Sequence, residues 1–251
     1  MFADDSCSII HGNCIEEVNR KKKSAVVFKT EWFKSAGFSI NPEKSELIGF
    51  GFKPDSVTIN GNVVEPVEKI RFLGLTITTD LSWREHVKIV CTKIKFAAHR
   101  IRTDGALFSS KDKKKLFNAW IMGYIYSNGL AYLPFITTTQ LADIQTAANS
   151  GIRAVFSLLR FGKHQVTDLG RKLKNPGVAE VSKLIILKAA WSLRDSFSKA
   201  KIEGPRTRSR LLLNLLLLNA SGWNGKKVST ILVKGWNELP FDLKKESNLK
   251  K

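Results

Sequence analysis

The sequence predicts an α+β fold on three observations. Short β-forming pieces separated by turn dipeptides fill the stretch from Ser56 to Thr78. From Trp83 onward the apolar residues recur at helical spacing, and ahead of both lies one long amphipathic stretch from Asn13 to about Phe38. Composition passes from strand-like to helical near Asp80, so residues 1–80, 81–165 and 166–251 are read as three regions.

The chain opens on Met1-Phe2-Ala3-Asp4-Asp5-Ser6 and runs into Ser8-Ile9-Ile10, which reads as a turn entering a strand. Neighbouring side chains in a regular strand point to opposite faces. At a turn, two consecutive carboxylates can approach one cation, and hard oxygen ligands suit Mg²⁺. Taken alone, Asp4 and Asp5 are either such a site or a solvated turn.

Asn13 is placed to cap the long helix, with Ile15, Val18, Ala25, Phe28, Trp32, Phe33 and Ala36 on its apolar face. The cluster Arg20-Lys21-Lys22-Lys23 reads as its solvated side. Gly37 ends the helix, and Asn41-Pro42 starts an extended connection into Glu46 to Phe50. Ser56 to Ile59 and Val63-Val64 flank Asn60-Gly61, a hairpin signal. Lys69 to Thr78 reads as a strand in which Gly74 either admits a close backbone or makes a bulge.

The helical part begins with the cleanest periodicity in the chain. Val87, Val90, Cys91, Ile94, Ala97, Ala98 and Ile101 form one inward stripe. Spacing by sevens then aligns Lys88, Lys95 and Arg102 on one flank, and Lys93 with Arg100 on the other. Such rows either track a phosphate backbone or are solvated surface. A second helix, from Lys111 to Asn128, is expected to bury Leu116, Phe117, Trp120, Ile121 and Tyr124. A third runs from Thr137 through Ile144, Ile152 and Val155; residues 161–177 read as loop, and Val178 to Ala200 as a further helix. A basic linker follows Glu203, then the apolar run Leu211 to Leu218 and the element Trp236-Asn237-Glu238-Leu239-Pro240.

At 251 residues, 43% of them hydrophobic and 10% aromatic, the chain has room for a large core or two ordinary ones. Its three cysteines, Cys7, Cys14 and Cys91, form no paired or Cys-x-x-Cys pattern, which favours a reducing compartment. No signal peptide is recognised and no apolar run is long enough for a bilayer, so an intracellular protein without a membrane span is expected. The net charge of +19 is uneven: residues 1–80 hold 10 Lys and Arg against 11 Asp and Glu, residues 81–251 hold 31 against 11. The basic body attracts polyanions, nucleic acid or an anionic membrane surface, unless the charge serves solubility alone. No Gly-x-Ser-x-Gly elbow or Gly-rich phosphate loop occurs, and His11, His86, His99 and His164 have no ligand or triad spacing.

Four motifs in order resemble one family. Phe2-Ala3-Asp4-Asp5 is similar to the Tyr/Phe-Ala-Asp-Asp box of reverse transcriptases, and Asn41-Pro42-Glu43-Lys44-Ser45 to their Asn-x-x-Lys-Ser/Thr motif. Phe72-Leu73-Gly74, followed by Asp80-Leu81-Ser82-Trp83 and His86, resembles the primer-grip hairpin that leads into the thumb. Trp236-Asn237-Glu238-Leu239-Pro240 resembles the Trp-Asn-x-Leu-Pro element of non-LTR, Jockey-like retrotransposon polymerases.

The resemblance implies that Asp4 and Asp5 are magnesium carboxylates of a two-metal nucleotidyl transfer. It implies that Lys44 lies by the incoming nucleotide's phosphates as general acid for the leaving pyrophosphate. Phe72, Leu73 and Gly74 would hold the primer end. Helices from Trp83 to about Leu159 would be a thumb gripping RNA template and DNA primer through phosphates, with Lys88, Lys93, Lys95, Arg100 and Arg102 as the contacts. The family also has fingers and a half-palm with another metal-binding aspartate ahead of the box. The expectation is therefore an incomplete palm of one long helix and short antiparallel strands, followed by a basic helical thumb and a C-terminal region. Such a fragment would be inactive alone, would leave an apolar helix face and sheet edge exposed, and could be completed by a chain supplying the missing half-palm. The alternative is a non-catalytic protein that binds RNA or an RNA-DNA hybrid.

Overall fold

The computed structural model describes residues 6–158, 166–193, 231–232, 235–237 and 239. Over these the chain is α+β, with two small antiparallel sheets and a majority of helix. It divides into two units, Met1–His86 and Val87–Lys251.

In the first unit, α1 spans Ile15–Ser35, with Glu16 and Glu17 in its first turn and Lys34 in its last, each complementing the helix dipole. The cap residue is Cys14, not Asn13; Asn13 instead donates its backbone N–H to Glu17 Oε2 at 2.9 Å. Ser8 to Ile10 form no strand, and Ile9 is 91% exposed.

Which side of α1 is covered also differs from the expectation. Val18 and Lys22 are buried and Val26 packs on the sheet, whereas Val27, Phe28 and Trp32 face outward. Lys22 is therefore not part of a solvated cluster. Its ammonium donates to the Asp55 carbonyl and, at 3.0 Å, to Asn19 Oδ1, while Asn19 donates to Asp55 Oδ2 at 2.6 Å. Burial lowers the Lys22 pKa, and this hydrogen-bonded pin is what makes a buried cation tolerable.

β1 (Val57–Ile59) and β2 (Asn62–Val64) pair antiparallel around Asn60-Gly61, whose φ values of 50° and 84° fit a type I′ turn. Val57, Ile59 and Val64 point inward against Val26, Ile40 and Leu47. Lys69 to Thr78 is a hairpin rather than one strand: β3 (Lys69–Phe72) pairs with β4 (Leu75–Thr78) around Leu73-Gly74. Leu73 has φ 47°, a conformation costing an L-residue about 1–2 kcal/mol. Leu73→Asn, which makes the preferred Asn-Gly turn, is expected to stabilise the unit by about 0.5–1 kcal/mol. Urea unfolding followed by circular dichroism measures this, and an unchanged or lower midpoint would refute it.

The exit from β4 is pinned by Asp80, which accepts from the Thr78 hydroxyl at 2.6 Å and from the Ser82 N–H at 3.1 Å. The Thr78 hydroxyl, then the Ser82 donors, hold the Asp80 carboxyl below its ordinary value of 3.8. A lowered folded-state pKa contributes stability above pH 3.8 that is lost as pH falls through the lowered value. Wild type and Asp80→Ala are therefore expected to converge in stability toward acid and to separate above pH 4, which a pH series of unfolding midpoints would check.

α2 runs Arg84–Thr103, and the division between the units falls within it, after His86. In the second unit its whole expected stripe, Val87, Val90, Cys91, Ile94, Ala97, Ala98 and Ile101, is buried. α3 (Ser110–Leu116) is capped by Ser109, whose hydroxyl oxygen accepts the Asp112 N–H at 3.2 Å. Within its Lys-rich row, Lys113 is buried and donates to Ser157 Oγ at 2.9 Å, while Lys115 pairs with Asp112.

A π-helical turn, Phe117–Met122, then leads into α4 (Gly123–Tyr126) and α5 (Gly129–Tyr132). α6 (Thr138–Val155) starts with a complete Thr137/Gln140 capping box. α7 (Val166–Leu173) lies where a loop was expected; only Val166, Leu169 and Leu173 signal it, and packing of Gly170 beside Ile152 completes it. α8 is Val178–Leu193. Phe117, Ile121, Ile125, Tyr132, Ile144, Val155 and Val181 join Ile94 and Ile101 of α2 among the most deeply buried large side chains of this unit. Trp236 of the Trp-Asn-x-Leu-Pro element packs on Trp191 of α8 at 5.7 Å, in a cluster with Ala190 and Leu232. The basic linker and Leu211 to Leu218 lie outside the described residues.

Candidate nucleic-acid interface

Asp4 and Asp5 lie outside the described residues. The segment that follows them runs back along α1: Lys29 Nζ donates to Ser6 Oγ at 3.4 Å, and Lys21 Nζ to the His11 carbonyl at 3.1 Å. Adjacent carboxylates are donors of the kind Mg²⁺ takes. Among the described residues no group of three or more His, Cys, Asp or Glu is arranged to hold a metal.

Lys44 closes a 3₁₀ turn, Pro42–Lys44. Asn41 Oδ1 accepts the Glu43 N–H at 2.9 Å, and Ser45 Oγ donates to the Asn41 carbonyl at 2.8 Å. Two members of the Asn-x-x-Lys-Ser motif thus shape the turn and leave Lys44 exposed. Glu46 Oε2 accepts the Arg71 N–H at 3.4 Å, which sets this turn beside β3 and the Phe72-Leu73-Gly74 hairpin. There Leu73 and Gly74 are exposed and Phe72 is half-buried. His86, singled out with the same motif, is buried, and its Nδ1 accepts the Thr76 N–H at 3.3 Å, tying β4 to the start of α2.

The five basic positions of α2 all belong to the second unit. At 100° per residue, Lys88, Lys95 and Arg102 lie on one side of the buried stripe, and Lys93 with Arg100 on the other. Their environments are unequal. Arg100 is paired with Asp104, whose carboxyl is held below its ordinary range by the Thr103 hydroxyl and then by Arg100 itself. Arg102 is half-buried, and its Nη2 has no hydrogen-bond partner among the described residues. Lys88 and Lys95 are exposed, and Lys93 Nζ sits 5.7 Å from the centre of the Tyr124 ring, a cation–π contact.

The side chains that sequence reasoning missed here are aromatic. Trp120 and Tyr124, expected in the core, are 38% and 37% exposed, and Phe96 on α2 is 62% exposed. Regular α spacing would bury positions 117, 120, 121 and 124 together. The π turn adds a residue to that stretch, so Phe117, Ile121, Met122 and Ile125 take the inward face and Trp120 and Tyr124 turn out. Nothing in the local sequence marks a π turn.

No helix among the described residues is long and apolar enough to cross a membrane. No family model, curated protein or solved structure matches the chain.

Proposed function

We propose that this chain is the palm, thumb and C-terminal portion of an RNA-directed DNA polymerase of a non-LTR retrotransposon. The observation that carries the reading is the order of four motifs along the sequence: Asp4-Asp5, Asn41 to Ser45, Phe72 to Gly74 with its sequel, and Trp236 to Pro240. Two structural facts support it. The Lys44 turn and the Phe72-Leu73-Gly74 hairpin are neighbours through Glu46 and Arg71, as two parts of one nucleotide and primer site should be. The outward apolar side of α1, with Val27, Phe28 and Trp32, is where this reading expects another piece of palm to pack.

In this reading Asp4 and Asp5 would hold magnesium, whose chemistry would be to activate the primer hydroxyl and stabilise the leaving pyrophosphate. Lys44 gives charge, and a proton, to the departing phosphates. The Leu73-Gly74 turn presents backbone to the primer end without a side chain at Gly74. The α2 cations hold phosphates, which suits an enzyme that copies any sequence.

These residues supply two of the family's three metal carboxylates, so a polypeptide of these 251 residues alone is expected to give no primer extension with Mg²⁺. Co-expression with a fingers and half-palm polypeptide of a non-LTR reverse transcriptase is expected to restore template-dependent incorporation that Asp5→Asn abolishes. Failure to restore it, or incorporation indifferent to Asp5→Asn, would count against the proposal.

A second reading, binding of RNA or an RNA-DNA hybrid without catalysis, is favoured by the exposed α2 cations on a strongly basic unit. Filter binding to a hybrid duplex across a salt series separates it from an inert basic surface: a steep loss of affinity with salt is expected, and no binding at low salt would exclude it.

A further inference from the structure

We propose that Trp120 and Tyr124, together with the Lys93 and Phe96 flank of α2, form a stacking surface for the unpaired bases of single-stranded nucleic acid. The proposal rests on the nucleic-acid binding argued above and adds which form of the polymer this face takes.

The first ground is the π turn. π-helical turns are rare, recur at functional sites, and trade a regular hydrogen-bond ladder for a shifted face. Here the shift moves a tryptophan and a tyrosine four residues apart from core positions to water, while Phe117, Ile121 and Ile125 keep the core filled. A regular helix would have buried those two rings.

The second ground is what surrounds them. Lys93 reaches the Tyr124 ring at 5.7 Å, so Tyr124 and this flank of α2 share one surface within the second unit, and Trp120 precedes Tyr124 by four residues in the adjoining π turn. Ile89, Lys93, Phe96 and Arg100 follow each other at four-, three- and four-residue steps along that flank, with Phe96 62% and Ile89 41% exposed. Large apolar side chains, Ile89 and the Phe96 ring, alternate with the basic Lys93 and Arg100. That combination matches a single strand, whose bases offer π faces to aromatic side chains while its phosphates take the charge. A duplex keeps its base faces stacked on one another and would use only the cations. An apolar protein partner would be poorly served by ammonium and guanidinium groups among the rings.

The test uses the full chain, a uridine oligonucleotide and an RNA-DNA hybrid duplex, with binding measured by fluorescence anisotropy across a salt series. Stacking is worth about 1–3 kcal/mol per base, so Trp120→Ala/Tyr124→Ala is expected to weaken oligouridine binding by about tenfold or more. Its salt slope and its affinity for the hybrid should stay within about twofold of wild type, since the cations that meet the phosphates are untouched. Trp120→Phe/Tyr124→Phe should retain most single-strand affinity. Intrinsic fluorescence gives an independent readout: oligouridine should quench a component of wild-type emission that Trp120→Phe lacks. Unchanged single-strand affinity in the alanine variant, equal loss for both polymers, or quenching unaffected by Trp120→Phe would overturn the stacking surface. If wild type binds neither polymer at low salt, it is the underlying nucleic-acid reading that fails.

Discussion

Phe117→Ala is expected to destabilise the helical unit by about 3–5 kcal/mol, the usual cost of deleting a fully buried aromatic ring. Phe117 is 1% exposed, and its ring lies against the backbone of α6 at Gly151, where an added Cβ would come within 3.1 Å of it. That backbone holds still because α6 is capped at Thr137 and buried along Ile144, Ala148 and Ile152, so the cavity has little means to close. Domains of ordinary stability keep about 5–15 kcal/mol in all, and this one substitution would therefore remove a large share. Denaturant unfolding followed by far-ultraviolet circular dichroism would measure it; a loss below about 1 kcal/mol would mean the core is far looser than this packing implies.

The same packing offers a sharper check. A Cβ on Gly151 would lie 2.2 Å from Ile121 Cδ1, so Gly151→Ala should overpack the core and cost about 1–3 kcal/mol. Ile121→Val removes the clashing methyl. In that background the penalty should shrink, giving a favourable coupling of about 0.5 kcal/mol or more in a double-mutant cycle. Additive effects would show that the π turn and α6 are not in the register described.

Neutralising the exposed cations of α2 should have the largest effect on binding. On a duplex, each phosphate that a cation no longer neutralises reduces the slope of log affinity against log salt by about 0.9, so Lys88→Gln/Lys95→Gln should flatten it by about 2. The opposite flank is expected to respond less to Arg100→Gln than to Lys93→Gln, because Asp104 already neutralises Arg100. Arg102 should matter little for the same slope, being half-buried at the helix edge. Filter binding at several salt concentrations would decide this. A slope untouched by Lys88→Gln/Lys95→Gln and by Lys93→Gln would place the interface away from α2.

Much of the basic surface was legible before the fold. A helix repeats every 3.6 residues whatever surrounds it, so the α2 stripe and the two flanks beside it followed from spacing alone. The pairing of Arg100 with Asp104, four residues apart, is equally local and could have been read the same way. Asn60-Gly61 announced its hairpin through turn chemistry. Leu73-Gly74 did not, because leucine rarely accepts a positive φ, and only the pairing of β3 with β4 imposes one there.

By itself, then, the sequence determined the α+β class, the uneven charge, the buried stripe of α2 and the motif order on which the polymerase reading stands. These depend on composition and on interactions between residues a few positions apart. Tertiary structure alone decided that Lys22 is an interior pin, that α1 turns Phe28 and Trp32 outward, that the Lys44 turn adjoins the Phe72-Leu73-Gly74 hairpin, and that Trp120 and Tyr124 leave the core, Tyr124 beside Lys93. Each of these rests on a partner distant in sequence: Asp55 for Lys22, the β1 and β2 hairpin for α1, Arg71 for Glu46, and α6 for the π turn. Local propensity does not encode which of two apolar faces a distant element will cover, and packing makes that choice.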